Sequence, residues 1–522
     1  MRNDKKIIYN KYVKILTTVF ILLIFTKIDF RFYEYPPGLI VDDAEYYYHV
    51  QTIVKDFDLD YSNQMEGADY RNLNKLNDSP VPVHPIGSGI FAAPFIFISN
   101  LLSSYINLDS VVSLNYFIYS LVPIIYIYLS AKMLFNIFSS KKIKVDFLYL
   151  IILSLGSGVS YFAFERFSMS HVYEFFGQVL IFYLVFKFEN TEEGYKKKFI
   201  LFLIPIFLFL VFSIRWSNYH VFVSPLIYAI VFNKRLIKDF LSTYFFSGIL
   251  IGAAIYYYIS YQLYGVLTLN PSDLFLQVED RLTFNYERFF QPELFFENIQ
   301  LILESLIVIL FGYEFGILYF SPIIFIGFLS FFIFLYKREY ILSFSIFLVS
   351  FVPFMGIVVL QNTGYSYGFR YLYSLTPIYF LFLFKFLNKN KIIKRYLILF
   401  SIFSIISQVF FEASQESILY SEYVINSFGQ ETKFVNPDYL IGLLKSFILF
   451  DSYLNVVFTS FLGIIIIKIL GTVTSPLDFI NNYRTPNEDI MRLVENSESI
   501  SIFFLLVLLC LFVYIGNDIL KR

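Results

Sequence analysis

Long apolar segments separated by short polar ones form the dominant pattern of this chain. Segments close to the roughly 20 residues that cross a bilayer core recur along it, so the pattern predicts about 13 transmembrane helices. This is an all-α polytopic membrane fold. The predicted spans are 12–29, 111–136, 146–164, 172–188, 199–214, 219–233, 240–262, 314–335, 340–360, 372–388, 395–411, 450–470 and 499–515.

One apolar segment, HPIGSGIFAAPFIFISNLLSS at 84–104, also carries glycines, a proline and several serines. The basic clusters decide its placement, because cytoplasmic loops are enriched in lysine and arginine. If 84–104 crossed, five later clusters, from KKIK at 141–144 to NKNKIIKR at 388–395, would lie outside. If it lies in the interface, all of them share the cytoplasm with the N-terminal lysines. We therefore predict an interfacial or re-entrant helix at 84–104, with 298–311 as a second candidate.

This topology gathers most of the unusual polar residues on the outer face. The outer segments would be 31–110, 164–171, 215–220, 264–297, 361–371 and 412–440. We divide the chain into a catalytic transmembrane module at 1–300, which includes the outer loop 31–110, and a C-terminal transmembrane module at 301–522. No separate soluble domain is expected.

Composition agrees with a membrane chain and narrows its chemistry. Hydrophobic residues make up 57% of the sequence and charged residues 16%, which is too apolar for a soluble protein of this length. The formal net charge of −1 provides no broad basic surface, so no nucleic-acid partner is expected. One cysteine and four histidines leave no disulfide framework within the chain and few ligands for zinc.

The densest acidic cluster follows the first apolar segment, in LIVDDAEYYYHVQ at 39–51. A carboxylate at mid-bilayer costs on the order of 3 kcal/mol, so Asp42, Asp43 and Glu45 need water or a polar cavity. Neighbouring carboxylates repel, so either a cation lies between them or one takes a raised pKa. They could act as a general base, as a metal site, or as solvated acids at a membrane exit.

Cations form the second polar group, at the predicted outer ends of spans. A single cation there is explained by its side chain reaching the lipid headgroups. Several on one face, opposite an acidic cluster, favour a shared anionic ligand, and arginine suits bidentate capture of phosphate. The cations are Arg166, His171, Arg215, His220 and Arg370. His84 precedes a proline at the start of 84–104 and is either an interface residue or a catalyst.

Five short motifs follow one another along the chain: DDAEYYYHVQTIVKDFDLDYSN (42–63), HPIGSGIFAAPF (84–95), FSMSHVYEFF (167–176), GILYFSPIIFI (316–326) and GYSYGFRYLYSLTP (364–377). In this order they resemble the GT-C superfamily of integral membrane glycosyltransferases. The resemblance is in particular to the group that contains the protein mannosyltransferases and the lipid A aminoarabinose transferase, of the bacterial glycosyltransferase family 39 type. Asp43 stands where the family pattern has glycine, and Tyr367 where it has phenylalanine.

The resemblance implies a GT-C fold and an inverting transfer of one sugar from a polyprenyl-phosphate donor. Asp42 would be the general base, with Asp43 as the fallback. The donor phosphate would be held by Arg370, His171, Arg166 and His84. The acceptor or sugar would contact Tyr46, Tyr47, Asp58, Asp60 and Asn63. Some relatives use a divalent metal, which would lie at Asp42 and Asp43, and no other cofactor is expected.

The basic N-terminus and the parity of the spans predict a cytoplasmic N-terminus and an active site on the outer face. The resemblance implies a multi-pass protein of the bacterial inner membrane. The acceptor would be a lipid, a glycan or a protein. The alternative is a flippase or transporter for lipid-linked glycans. A transporter places ionisable residues in the middle of its spans. Only Glu174 and Glu304 are candidates for interior acids, which favours the enzyme.

Overall fold

A computed structural model describes eleven ranges of the chain, and it is mostly helical there. The first described helix begins at Val41, and the helices continue to Ala413. Two short antiparallel strands follow, a local departure from the predicted all-α fold. The described residues are 41–65, 80–82, 84–106, 111–164, 166–269, 295–312, 316–360, 369–387, 389–413, 420–425 and 431–435.

The helices are labelled here in chain order. In the first part of the chain they are α1 (Val41–Gln51, continued by a π turn at Thr52–Asp56), α2 (Gly87–Ile106), α3 (Val111–Ser140), α4 (Phe147–Leu155), α5 (Tyr161–Phe164), α6 (His171–Asn190) and α7 (Tyr195–Phe212). A 3-10 turn at Tyr219–Val223 leads into α8 (Ser224–Phe232), α9 (Leu236–Asp239) and α10 (Thr243–Tyr264).

The later helices are α11 (Phe295–Phe311), α12 (Ile317–Phe320), α13 (Pro322–Tyr336) and α14 (Tyr340–Leu360). A 3-10 turn at Arg370–Leu375 precedes α15 (Thr376–Phe382), a π turn at Leu383–Leu387 and α16 (Lys391–Ala413). The strands are β1 (Tyr420–Ile425) and β2 (Glu431–Val435).

Three helical segments are long and apolar enough to cross a membrane: Ile118–Ser140, His171–Asn190 and Thr243–Tyr264. Helical structure also covers the other predicted spans that fall within the described residues, although several are broken into shorter pieces. The spans at 12–29, 450–470 and 499–515 lie outside the described residues. The structure therefore supports a membrane protein, and the total of about 13 crossings stays a prediction.

The core is built around α6, which is mostly buried, whereas α10 lies at the periphery. Most of the buried apolar side chains form one cluster that extends from Tyr46 to Ile398, and a smaller one joins Tyr61 and Met65 to Leu263 and Tyr264 of α10. Because the larger cluster includes helices on both sides of residue 300, the predicted module boundary does not coincide with a break in the packing.

Two glycines bring α1, α2 and the end of α7 together. A Cβ atom on Gly89 would lie 2.5 Å from the Cβ of His49, so only glycine lets α2 approach α1 this closely. The N–H of Gly87 donates to the carbonyl of Ser213 at 2.8 Å, and a Cβ there would meet the backbone of Ser213. The helix predicted at 84–104 is thus present as α2, and its interfacial placement stays a prediction.

Candidate functional site

A buried carboxylate of α1 is hydrogen-bonded to a histidine that lies 39 residues away in the chain. Glu45 is only 2% exposed, and its Oε2 lies 2.6 Å from Nδ1 of His84. The same oxygen accepts the backbone N–H of His84 at 3.3 Å. The side chain of His84 remains 26% exposed. His84, predicted as a phosphate ligand, is therefore already bound to a carboxylate through Nδ1.

A second histidine holds the backbone of the first. Nε2 of His49 lies 2.9 Å from the carbonyl oxygen of His84, and its Nδ1 lies 2.6 Å from the hydroxyl of Tyr61. A carbonyl only accepts, so Nε2 of His49 carries the proton and Nδ1 accepts from Tyr61. Burial lowers the pKa of His49 to about 3, so the ring is neutral at physiological pH.

The start of α6 carries a buried charged group. Glu174 accepts from the Ser170 hydroxyl at 2.6 Å and from the guanidinium of Arg215 at 3.4 Å. Arg215 also donates to Nδ1 of His171 at 3.2 Å. Nδ1 of His171 lies 3.5 Å from Glu174 as well, but it cannot both accept from Arg215 and donate to Glu174. Because a guanidinium keeps its protons, we assign Nδ1 as an acceptor and place the ring proton on Nε2.

Two further arginines approach the same histidine. Arg166 and Arg370 lie within electrostatic range of His171, as Arg215 does. The ring of Tyr371 lies between two of the cations, 4.4 Å from the guanidinium carbon of Arg215 and 5.3 Å from that of Arg370. Nε of Arg370 is buried and has no hydrogen-bond partner within the described part of the chain. We call Arg166, His171, Arg215 and Arg370 the cationic cluster.

Tyr46, on α1, lies between His84 and the cationic cluster. Its ring centroid lies 4.8 Å from that of His84, and the side chain is within electrostatic range of Arg215. The bond between Gly87 and Ser213 fixes the same approach, because Ser213 lies two residues before Arg215. The structure thus brings five predicted site residues together: Tyr46, His84, Arg166, His171 and Arg370.

The remaining predicted sugar contacts are placed differently. Tyr47 is 2% exposed and packs on Tyr119 at 5.0 Å between ring centroids, so it has no open face for a sugar in this structure. Asp58, Asp60 and Asn63 are exposed on the turn after α1. Asp60 accepts from the backbone and hydroxyl of Ser62, which lowers the pKa of its carboxyl group. Asn63 donates to Asp56. These bonds stabilise the turn itself.

The two predicted catalytic acids, Asp42 and Asp43, lie on the first turn of α1, and their side chains are outside the described residues. Within the described ranges, no group of three or more histidine, cysteine, aspartate or glutamate side chains could hold a metal ion. Glu45, the nearest described carboxylate, is bonded to His84. The divalent metal expected at Asp42 and Asp43 stays a prediction, because these two side chains lie outside the described residues.

Glu174 and Tyr371 are site residues to which sequence reasoning assigned no role, and Glu45 was named only together with the other acids of its cluster. Glu174 was noted only as an interior acid, although its position three residues after His171 on a helix places both side chains on one face. Tyr371 follows Arg370 directly. The partner of Glu45 is 39 residues away, so no local spacing could have revealed that pair.

Comparisons with protein-family models, with curated proteins and with solved structures find no match to this chain. The function is therefore argued from the site itself. The site combines a group of cations that could hold an anion with a histidine and carboxylate pair that could accept a proton.

Proposed function

We propose that this protein is a membrane glycosyltransferase that moves a sugar from a polyprenyl-phosphate donor to an acceptor hydroxyl. The observation that carries the proposal is the cationic cluster beside α1. Three arginines act on His171, while Glu174 is the carboxylate in hydrogen-bond contact with that group. A phosphate could accept from Nε of Arg370, which is buried and has no hydrogen-bond partner within the described residues.

The reaction assigns a role to each side of the site. The acceptor oxygen forms a bond to the first carbon of the sugar and loses its proton to a base near α1. The bond from that carbon to the phosphate oxygen breaks, and the electron pair leaves with the phosphate. Arg370, Arg166 and the Nε2 proton of His171 would stabilise the growing negative charge.

A lipid-linked donor agrees with the apolar surroundings of the cluster. Nucleotide sugars are cytoplasmic, and this chain has no Gly-rich nucleotide-binding motif. The motif resemblance to the GT-C superfamily supports the same reaction class. We further propose that the protein lies in the bacterial cytoplasmic membrane, with about 13 spans and a cytoplasmic N-terminus. The site would then face outwards and transfer to a lipid, glycan or protein.

A lipid-linked glycan transporter is the second candidate. The observation that favours it is the buried pair of Glu174 and Arg215, because ionisable residues inside membrane proteins often mark transport pathways. A transporter would move the lipid-linked sugar across the bilayer and leave the bond between sugar and phosphate intact. The enzyme breaks that bond.

The deciding experiment uses the purified full chain in nanodiscs. A panel of radiolabelled polyprenyl-phosphate hexoses and pentoses is incubated with it, with a bacterial lipid extract or water as acceptor, and release of polyprenyl phosphate is measured. We expect release with at least one donor and its loss in R166Q/R370Q. The matched control K234Q/R235Q removes two exposed charges from the loop before α9 and should retain activity.

Two outcomes would contradict the proposal. One is a wild-type protein that releases no polyprenyl phosphate from any donor in the panel. The other is an R166Q/R370Q variant as active as the K234Q/R235Q control. Movement of an intact fluorescent lipid-linked sugar across proteoliposomes, without release of the sugar, would instead support the transporter.

A further inference from the structure

His84 is held at three points by side chains of α1. Glu45 accepts from its ring Nδ1 and from its backbone N–H, and the ring of His49 donates to its carbonyl oxygen. Tyr61 in turn holds the His49 ring. Such a set of bonds fixes the position and the ring orientation of one side chain, yet that side chain is still a quarter exposed.

The partners also determine which nitrogen of His84 can react. A carboxylate only accepts, so Nδ1 of His84 carries the proton that it shares with Glu45. In the neutral ring the lone pair then lies on Nε2. A carboxylate at the opposite nitrogen orients the imidazole and stabilises the imidazolium that forms when Nε2 takes a proton.

Tyr46 lies between the His84 ring and the cationic cluster, where the phosphate is proposed to bind. Its ring contacts that of His84, and its side chain is within electrostatic range of Arg215 in the cationic cluster. A sugar whose phosphate is held by that cluster would therefore have His84 on its α1 side. The exposed Asp58 and Asp60 turn offers no comparable bonded pair.

We propose that His84 is the general base of the transfer and that Glu45 is its positioning residue, in place of Asp42. As the acceptor oxygen bonds to the sugar, its O–H bond breaks and the proton passes to Nε2 of His84. The phosphate leaves with the electron pair of the broken sugar bond. The imidazolium formed beside Glu45 then returns the proton to water. This inference rests on the proposed function and names the group that completes it.

The test compares H84A, H84Q, E45Q, E45Q/H84A and D42N in the polyprenyl phosphate release assay, with added imidazole. General-base catalysis contributes about 10²- to 10⁴-fold, so H84A and H84Q should lose kcat to that extent and keep the KM for the donor. Imidazole should restore part of the kcat of H84A. E45Q should lower kcat less, and E45Q/H84A should be no slower than H84A, because the two residues act as a unit.

The matched control is H49A, which removes a histidine of the same network whose two nitrogens are both engaged. Imidazole should not raise its kcat. An H84A variant within twofold of the wild type, or one that imidazole does not rescue while D42N is inactive, would overturn the inference and leave the proposed function standing. A wild type that releases no polyprenyl phosphate would overturn both. Monodisperse elution of each variant confirms that it is folded.

Discussion

The two ends of α6 both carry a buried carboxylate, but the surroundings differ. Glu174 and Glu189 lie about 22 Å apart along the helix axis. At the far end, Lys141 donates to both oxygens of Glu189 at 2.5 Å, and Tyr228 and Asn233 donate at 3.0 Å each. One cation meets one anion there, and the remaining acceptor sites are filled by neutral donors.

At the near end, Glu174 accepts from the Ser170 hydroxyl at 2.6 Å and from Arg215 at 3.4 Å, and two more arginines act on the adjacent His171. A buried polar group is costly unless it is paired. Nε of Arg370 is such a group, with no hydrogen-bond partner within the described residues. The comparison teaches that the Glu189 end joins helices through bonded partners, whereas the Glu174 end presents a buried donor that a ligand could engage.

The largest expected effect is at the Glu174 end of α6. In R370Q one donor to the leaving phosphate is lost, which should reduce kcat/KM for the donor by about 10²- to 10³-fold. The KM for the acceptor should change far less. Initial rates over a range of donor concentrations measure this. An unchanged donor dependence would show that Arg370 has no phosphate role and would break the contrast between the two ends.

The matched change at the other end is K141M. It leaves Glu189 without its cation but with Tyr228 and Asn233 as donors, and we expect this to cost about 1–3 kcal/mol. Both partners are mostly buried, with side chains 17% and 13% exposed. We expect a lower unfolding temperature, measured by the loss of the monodisperse peak after heating, with the transfer rate per folded molecule nearly unchanged.

The double variant K141M/E189M tests whether the unpaired Glu189 carboxylate causes the loss of stability in K141M. It removes both charges, so it should recover part of the lost stability. If K141M instead abolished transfer in protein that remained folded, the Glu189 end would be part of the active site and the division proposed here would be wrong.

An effect of similar size is expected where α2 approaches α1. In G89A the new methyl group would collide with the Cβ of His49, and overpacking of this kind costs about 1–3 kcal/mol. The shift should also displace His84 and lower kcat. S88A is the matched control, because its hydroxyl is buried and has no hydrogen-bond partner in the described part of the chain. Equal unfolding temperatures for G89A and S88A would contradict the close packing of α2 on α1 at Gly89.

The smallest predicted effect is a dependence of the folding stability on pH, which arises from the buried His49 of α1. The folded protein keeps His49 neutral down to about pH 3, whereas the unfolded chain gains a proton below about 6.5. The unfolded state binds more protons between these values, so stability falls as the pH falls from 6.5 towards 3. At pH 5.5 the loss in the free energy of unfolding is on the order of 1 kcal/mol relative to pH 8. The drop in unfolding temperature between pH 8 and pH 5.5 should be smaller in H49Q than in the wild type. An equal drop in both would show that His49 is not its origin.

Sequence reasoning anticipated the parts of the structure that depend on local pattern. The apolar segments in the described ranges are helical, and the helix expected at 84–104 is α2. Arginines and histidines at span ends were expected to share an anion, and Arg166, His171 and Arg370 lie together in the structure. Their common feature, a charged residue at the end of an apolar segment, can be read from the sequence.

Pairing across the chain could not be anticipated in the same way. The run around Asp42 was interpreted as a loop, whereas it is a helix, so Tyr47 turns into the core and Glu45 turns towards His84. That choice depends on how α2 docks through Gly89, which is a tertiary contact. Breaks within apolar segments, such as Gly156–Ser160 between α4 and α5, also follow from packing rather than from hydropathy.

The ring of Tyr371 has a consequence for the protein when no anion is bound. An aromatic face attracts a guanidinium through its quadrupole, by about 0.5–2 kcal/mol, without carrying a formal charge. By lying beside Arg215 and Arg370, it steadies both and adds no anion of its own that an incoming phosphate would have to expel. On the proposed function, the site would therefore be ready for a donor at little electrostatic penalty and would return to this state once the carrier lipid leaves.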